Sequence, residues 1–248
     1  MLRPKNNKTK PRIKHRPFLK WAGGKFRLTD DLNRVFPKRK QCLIEPFVGA
    51  GAVFLNSHFE RYILADINPD LINLFNIVKE NVDVYIEACK PIFFAENANT
   101  ADYYYAQRDA FNQSSDPFER SVLFLYLNRF GFNGLCRYNS KNEFNVPFGA
   151  YKTHYFPEDE LRYFAHKAQS AVFLCADFQQ TFELADKHSV IYCDPPYAPL
   201  PQDTNFTGYA GNAFGLEHQK NLAECAKKAQ KEKQISVVIS NHDTKFTR

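Results

Sequence analysis

The sequence predicts an α/β fold built on a parallel, doubly wound sheet, and two βα units near the N-terminus carry that prediction. An apolar run at residues 42–44 is followed by a glycine loop and by an apolar segment, residues 52–59, that predicts a helix. A second apolar run, residues 62–65, ends at Asp66 and precedes a helix whose start is marked by Asn68. Consecutive βα units with buried strands are typical of parallel sheets that carry helices on both faces.

The remaining elements predict that a mostly helical insert interrupts this sheet. Gly23, Gly24 and Lys25 open an amphipathic first helix that Pro37 ends. Residues 131–149 place polar and aromatic residues between glycines and predict an exposed hairpin. The other helices are predicted over residues 103–111, 118–130 and 217–231, and the other strands over residues 172–174, 190–193 and 235–239.

The order of these elements divides the chain into three parts. We expect a basic, flexible arm over residues 1–17 and a sheet domain made of residues 18–80 and 170–248. Residues 81–169 are expected to form an inserted domain with helices and a hairpin, because the parallel pattern stops there and resumes afterwards.

Composition limits the class of protein. The chain has 248 residues, of which 44% are hydrophobic and 15% aromatic, so it is neither a disulfide-stapled miniprotein nor a disordered chain. The net charge of +6 comes from the arm, where residues 1–17 hold seven Lys and Arg residues and no acid. Pro4, Pro11 and Pro17 exclude a helix there. We expect the arm to bind a polyanion, with a merely solubilising tail as the alternative.

The sequence predicts neither a membrane segment nor a metal site. No apolar run approaches the roughly 20 residues needed to span a bilayer, and no apolar stretch follows the basic N-terminus. We therefore expect a cytoplasmic protein. None of the six cysteines forms a Cys-x-x-Cys pair or lies beside a His at metal-ligand spacing, so all six are expected to be buried free thiols.

A glycine loop follows the first predicted strand, at the place where open α/β sheets bind nucleotides and related cofactors. Gly49 and Gly51 allow the backbone to approach a ligand closely, but Phe54 stands where a dinucleotide fingerprint needs a third glycine. Asp66, at the end of the second strand, is placed to accept hydrogen bonds from a ribose. These residues favour a ribose-bearing cofactor without a pyrophosphate, such as S-adenosylmethionine; a simple tight turn is the alternative.

The strongest chemical signal is the segment Asp194-Pro195-Pro196-Tyr197, which directly follows a predicted strand. The prolines restrict the backbone, so that the Asp194 side chain and the Pro195 carbonyl can act as a fixed pair of acceptors. Such a pair can bind both hydrogens of an aromatic amino group and make its nitrogen nucleophilic toward a methyl sulfonium. Tyr197 offers a ring face for the base. A proline-rich turn with a capping Asp is the alternative interpretation.

Several segments in order resemble the DNA adenine methylase (Dam) family over residues 17–248. The segments that carry the resemblance are residues 19–25, 45–51, 65–68, 127–129 with 133–139, 194–197 and 240–244. The resemblance implies a class I S-adenosylmethionine-dependent methyltransferase, whose Rossmann-like doubly wound sheet carries an inserted target-recognition domain.

The same resemblance implies an activity. The family methylates N6 of adenine within GATC in double-stranded DNA, with S-adenosylmethionine as cofactor and S-adenosylhomocysteine as product. It implies base flipping, no metal, a monomeric enzyme, and roles in mismatch-repair strand marking, DNA replication timing or protection of phage DNA.

Individual roles follow from motif positions in the family. The cofactor pocket is implied to contain Trp21, Lys25, Phe47, Gly49, Gly51, Asp66 and Asp194. The target adenine is implied to meet Asp194, Pro195 and Tyr197. The DNA contacts are implied to be Lys20, Phe132, Asn133, Leu135, Arg137 and Pro147. Phe132 stands where family members often have Tyr, so stacking is retained and a hydroxyl contact is lost.

Two other functions remain open at this stage. Family members continue past the fifth strand through another helix and a strand pair, so a C-terminally truncated relative that binds DNA or cofactor without turnover is the main alternative. An NAD-type oxidoreductase is disfavoured by Phe54 and by the segment 194–197.

Overall fold

The computed structural model describes residues 13–197, 214–244 and 247, and its centre is a sheet of five parallel strands in the order β3-β2-β1-β4-β5. This arrangement confirms the predicted fold class. The strands are β1 (Cys42–Glu45), β2 (Arg61–Asp66), β3 (Ala171–Cys175), β4 (Ser189–Cys193) and β5 (Ser236–Ile239). Each lies within one residue of its predicted limits at both ends.

Helices connect the strands and cover both faces of the sheet. Within the described residues they are α1 (Thr29–Val35), α2 (Ala52–Asn56), α3 (Pro69–Glu80), α4 (Val82–Phe93), α5 (Ala101–Gln113), α6 (Pro117–Phe130), α7 (Glu158–Ala168), α8 (Phe178–Glu183) and α9 (Leu216–Lys233). Short 3-10 turns occupy residues 26–28 and 132–134. The sequence patterns did not predict α4, α7 or α8.

Side chains of each buried strand alternate between two hydrophobic clusters, because successive residues of a strand point to opposite faces. Leu43 and Tyr192 belong to the larger cluster, which also includes residues of α3, α6 and α7. Ile44 and Ile191 belong to the smaller cluster, which packs against α8 and α9. Helices on both faces are the defining feature of a doubly wound sheet.

The helix starts are encoded locally by capping residues. The Asn68 side chain accepts hydrogen bonds from the backbone N–H groups of Asp70 and Leu71, and Pro69 follows it as the first residue of α3. Asp116 caps α6 in the same way. These caps orient α3 away from the carboxyl end of β2 and leave the turn at Asp66 at the edge of the sheet.

The segment 131–149 differs from the exposed hairpin predicted for it. Two isolated antiparallel bridges, Gly131 with Phe148 and Tyr138 with Phe144, connect its two sides. Phe144 and Val146 are buried in the larger cluster, so one side of this hairpin forms part of the core. Phe144, Val146 and Phe148 alternate with Asn145 and Pro147, a period-two pattern that predicts one buried side and that the interpretation as an exposed hairpin did not use.

Two other expectations need correction. The described end of the predicted arm, residues 13–17, lies on the body: Lys14 Nζ is 2.7 Å from Asp30, and the His15 ring stacks on Tyr163 at 3.5 Å. Residues 1–12 of the arm lie outside the described residues. All six cysteines are free thiols, but only Cys42, Cys89 and Cys193 are buried; Cys136 and Cys225 are half-buried and Cys175 is exposed.

The part of the chain that the structure describes contains no helix long and apolar enough to cross a membrane. Within the same residues, no group of three or more His, Cys, Asp or Glu side chains could hold a metal ion.

A partly buried ion pair joins the insert to the sheet domain. Arg120 on α6 donates to both carboxylate oxygens of Asp70 on α3 at 2.9 Å, and it also donates to the carbonyls of Phe111 and Ser114. The Tyr138 hydroxyl donates to the same carboxylate at 2.6 Å, and burial raises the pKa of Tyr138, so the hydroxyl keeps its proton. The hairpin, α3, α5 and α6 therefore meet at one carboxylate.

We predict that Arg120→Ala lowers the free energy of unfolding by about 3–5 kcal/mol, because it leaves the Asp70 carboxylate without its counter-ion in a largely buried position. The control is Arg34→Ala, which removes an exposed pair with Asp31 of similar length, 2.6 Å, and should cost less than about 1 kcal/mol. Urea unfolding of both variants measures the difference. Equal losses would contradict a structural role for the Asp70 cluster.

Candidate active site

The candidate active site lies where β1 and β4 end side by side. From β1 the chain adds β2 and then β3 on one side of β1. It then crosses to the other side of β1, where it adds β4 and β5, so the strand order reverses between β1 and β4. Ligands of open α/β sheets bind in the crevice at the carboxyl ends of such strands. The glycine loop follows β1 and residues 194–197 follow β4.

The glycine loop allows a side chain to pack directly on its backbone. Gly49 has φ +48°, and a Cβ added to it would lie 2.8 Å from Nε1 of Trp21, so only glycine lets the indole pack against this backbone. Gly51, with φ +74°, starts α2. The structure thus brings Trp21 against Gly49, although the two residues are 28 positions apart in the sequence.

Asp66 lies at the end of β2, next to the glycine loop. One of its carboxylate oxygens accepts a hydrogen bond from the Gly49 N–H and the other accepts from the Asn68 N–H, both at 3.1 Å. Burial raises the pKa of Asp66, and these backbone donors oppose that effect. The carboxylate is consequently held in place at the rim of the pocket and can accept further hydrogen bonds.

Asp194 forms an ion pair with Lys25 at the end of β4. The Lys25 ammonium lies 2.7 Å from each carboxylate oxygen, and the two side chains are 10% and 20% exposed. The same ammonium lies 4.8 Å from the centre of the Tyr197 ring. Lys25, Asp194 and Tyr197 therefore form one cluster.

The charges of this cluster depend on one another. Burial raises the pKa of Asp194, and the hydrogen bond and charge of Lys25 oppose that rise. Burial also disfavours the Lys25 ammonium, but its hydrogen bonds to Asp194 and Tyr197 outweigh that cost and raise its pKa overall. Lys25 thus favours the carboxylate form of Asp194 against the effect of burial.

A hydrogen bond from α9 holds the loop that follows Asp194 in place. Gln219 donates through its side-chain amide to the Pro196 carbonyl at 2.7 Å, and Asn241 donates to Gln219 at 2.9 Å. The Tyr197 ring contacts the His242 ring edge-on at 4.7 Å. Asn241 and His242 lie in a segment that the sequence resemblance singles out, whereas no sequence signal identified Gln219.

Other residues of the predicted pocket have different neighbours. Phe47 stacks on Phe178 and meets Phe214 edge-on, with ring centres 5.7 and 5.5 Å apart, on the face of the sheet that carries α8 and α9. Pro195 is buried directly behind Asp194. Sequence reasoning assigned no role to Glu45, which ends β1.

Glu45 is a buried acid beneath the site, only 2% exposed. Burial, together with the nearby Asp194 carboxylate, raises the pKa of Glu45 well above its usual value, and a backbone hydrogen bond from Phe54 opposes this rise. Among the described residues, none donates a hydrogen bond to its Oε1 atom. The environment of Glu45 therefore disfavours its ionised form, whereas Asp194 has Lys25 as a counter-ion.

The predicted DNA contacts cluster on the hairpin and on the N-terminal segment. The Phe132 N–H donates to the Pro147 carbonyl at 2.9 Å, so these two exposed residues are adjacent. Asn133 has φ +54°, and its N–H donates to the Tyr151 hydroxyl at 2.7 Å. Leu135, two residues further, packs against the larger cluster.

Lys20 lies against this hairpin. Its ammonium donates to the Arg129 carbonyl at 2.7 Å and lies 3.8 Å from the centre of the Tyr151 ring. Burial and the charge of Arg129 lower the pKa of Lys20 to about 8. Arg129 and Tyr151 were not predicted as site residues, because only the folded chain brings them next to Lys20.

The Arg137 side chain is held by hydrogen bonds within the hairpin. Its Nε donates to the Asn145 side chain at 2.7 Å, and one terminal nitrogen donates to the Asn145 carbonyl at 3.1 Å. Asn145 therefore holds one edge of the guanidinium and fixes the direction of the opposite edge. A fork held in this way loses less freedom when it binds a planar acceptor pair.

Comparisons with known proteins identify the family. A family model described as D12 class N6 adenine-specific DNA methyltransferase matches residues 21–248. A Haemophilus influenzae protein named DNA adenine methylase is 82% identical over 248 residues, which cover all of this chain and 87% of that protein. Proteins of the same name from Vibrio cholerae and Escherichia coli K12 are each 59% identical over 235 residues, or 95% of this chain and 84% of theirs. This family match and these identities show that the chain is a member of the D12 class of N6 adenine-specific DNA methyltransferases.

Proposed function

We propose that this enzyme transfers a methyl group from S-adenosylmethionine to N6 of an adenine that it flips out of double-stranded DNA, within the sequence GATC. The observation that carries the proposal is the position of the Asp194 carboxylate, held ionised by Lys25 at the end of β4 and next to the glycine loop of β1. Because its substrate is DNA, the enzyme would act in the bacterial cytoplasm.

The residues around the glycine loop fit S-adenosylmethionine. The Trp21 indole packs on the backbone of Gly49 only because this residue carries no Cβ, and the Asp66 carboxylate is fixed at the adjoining strand end. A carboxylate at this position suits ribose hydroxyls. The Trp21 ring offers a flat apolar face, and Asp194 adds a negative charge for the cationic cofactor.

When bound, S-adenosylmethionine supplies an electrophilic methyl group on a positively charged sulfur. Asp194 and the Pro195 carbonyl would accept the two hydrogens of the adenine amino group, which localises the nitrogen lone pair toward that methyl group. As the N–CH3 bond forms and the S–CH3 bond breaks, the nitrogen becomes cationic and must lose one proton, which an ionised Asp194 can accept.

Lys25 must yield its position when the amine arrives. In the structure its ammonium donates to Oδ2 of Asp194 and also lies 2.7 Å from Oδ1, and the amine would use one of these oxygens together with the Pro195 carbonyl. Lys25 therefore keeps Asp194 ionised before substrate binds, and its long flexible side chain can withdraw toward the Gly23 carbonyl, to which it already donates at 2.7 Å. The site then consists of a carboxylate in a nearly dry environment, where a hydrogen bond to it is strong.

Aromatic residues support base flipping. Flipping costs a few kcal/mol of stacking and pairing, and stacking of the extruded base on Tyr197 offsets part of that cost. Phe132 is 47% exposed at the hairpin, next to Pro147, and is available to fill the gap in the duplex. Lys20, Asn133, Leu135, Arg137 and Pro147 form the surface that would read the neighbouring bases.

We predict that Asp194→Ala lowers methyl transfer to GATC duplexes by at least about 100-fold, because an acceptor aimed at the reacting group is lost. Transfer of a tritiated methyl group measures the rate. The control is Asp186→Ala, which removes another Asp paired with a cation at 2.7 Å, Arg61, outside the site. An Asp194 variant that kept more than about a tenth of wild-type turnover would contradict the proposed activation of the amine.

We predict that Arg137→Ala loses discrimination at one guanine of GATC. An Arg fork on guanine O6 and N7 is worth roughly 1–3 kcal/mol, so duplexes altered at that pair should be methylated about 5- to 150-fold better relative to GATC. The control is Lys141→Ala, an exposed cation of the same hairpin, which should leave the ranking of duplexes unchanged. An equal fall of Arg137→Ala on every duplex would instead assign Arg137 to the DNA backbone or to the fold.

We predict that DNA binding weakens about tenfold between pH 7 and pH 9, because the pKa of Lys20 in the free protein is about 8 and only the ammonium binds DNA well. Since this pKa is lowered, the charge is present below pH 8 and is lost above it. Fluorescence anisotropy of a labelled duplex measures the affinity at each pH. In Lys20→Met the affinity should be lower at pH 7 and nearly independent of pH; an unchanged pH profile in this variant would exclude Lys20 as the cause.

A further inference from the structure

Two buried asparagines each hold the main chain of the N-terminal segment in the same way. The Asn56 side chain accepts a hydrogen bond from the His15 N–H and donates to the His15 carbonyl, both at 2.9 Å. The Asn128 side chain accepts from the Lys20 N–H and donates to the Lys20 carbonyl, both at 2.8 Å. A side-chain amide that binds both groups of one residue reproduces the pairing of neighbouring strands and fixes that residue's position.

The two asparagines lie in different surroundings. Asn128, near the end of α6, is fully buried, and its amide also donates to the Gly134 carbonyl at 3.4 Å. Gly134 has φ +59°, and a Cβ added to it would overlap Cβ of Lys20. Asn128 therefore binds the Lys20 main chain tightly against the hairpin turn that contains Asn133.

On the other side, the same segment enters the cofactor pocket. Trp21 follows Lys20 directly, and its indole packs on Gly49 of the glycine loop. Lys20 thus lies at the hairpin, and the next residue, Trp21, lies at the cofactor pocket. A ligand that immobilises either residue also restricts the main chain of the other, because Asn128 holds this segment in place.

We infer that Asn128 is a positioning residue that couples the two sites, so that DNA on the hairpin and cofactor in the pocket tighten each other's binding. The inference rests on the proposed function, because it takes Lys20 as a DNA contact and Trp21 as a wall of the cofactor pocket. Asn56 holds His15, which stacks on Tyr163 of α7 and belongs to neither site. The same bonds at Asn56 therefore carry no coupling.

The test measures cofactor-product affinity with and without DNA. Trp21 is the single tryptophan of the chain, so its fluorescence reports S-adenosylhomocysteine binding directly. The DNA is a duplex that the wild-type enzyme methylates in the tritium assay, added at saturation. The variants are Asn128→Leu and its matched control Asn56→Leu; each replaces the amide by an apolar group of similar size and leaves one residue's N–H and carbonyl without their partner.

In the wild type, DNA should tighten S-adenosylhomocysteine binding at least about fivefold, and the product should tighten DNA binding by the same factor. Asn128→Leu should reduce both factors to less than about twofold, and Asn56→Leu should keep the wild-type factors while losing a comparable amount of thermal stability. A wild-type factor in Asn128→Leu, or an equal loss in Asn56→Leu, would overturn the inference and leave the proposed function standing. A wild-type protein that neither binds S-adenosylhomocysteine nor methylates any duplex would overturn both.

Hydrogen exchange of the wild type tests the same inference should Asn128→Leu fail to fold. DNA alone should slow exchange of the Lys20 and Trp21 amides, and S-adenosylhomocysteine alone should slow exchange of the Gly134 and Leu135 amides. The His15 amide, held by Asn56, should not respond to either ligand. Unchanged exchange at Lys20 and Gly134 would overturn the coupling.

Discussion

The pairing of β1 with β4 is the constraint on which the rest of the site depends. These strands are distant in sequence, yet they run parallel in register, with Cys42 opposite Ser189 and Ile44 opposite Ile191. Parallel strands in register end at the same edge, so the glycine loop after β1 and Asp194 after β4 must lie side by side. Strand β2, on the other side of β1, adds Asp66 to the same edge. No loop has to reach far to assemble the pocket.

Burial and charge act against each other at this edge, and they treat its two acids differently. Burial and the Asp194 carboxylate both raise the pKa of Glu45, and no cation lies beside Glu45 among the described contacts. Burial raises the pKa of Asp194 as well, but Lys25, 2.7 Å away, opposes that rise. A largely buried carboxylate is a stronger acceptor than one in water, since little solvent competes for it. The buried acid and the ion pair are therefore parts of one electrostatic arrangement.

Local patterns predicted the strands well and the contacts poorly, for physical reasons. A buried strand such as β4 is a short apolar run between turn residues, which the sequence displays directly. Helix α8 has only six residues, and its start is signalled by little more than Asp177 as a cap, so it passes for a loop. Motif residues located the edge of the sheet that carries the site. The Lys25–Asp194 pair, by contrast, joins residues 169 apart, and nothing local in either segment indicates that partner.

Contacts around the hairpin show the same limit. The side chains that hold Lys20 and Arg137 come from α6, residue 151 and residue 145, which no spacing rule would bring together. The larger hydrophobic cluster runs without a break from the sheet through α3 into α6 and the hairpin. Close-packed interiors transmit displacement because they contain few voids to absorb it. The hairpin therefore cannot shift within this cluster without displacing α3, whose cap at Asn68 lies two residues after Asp66.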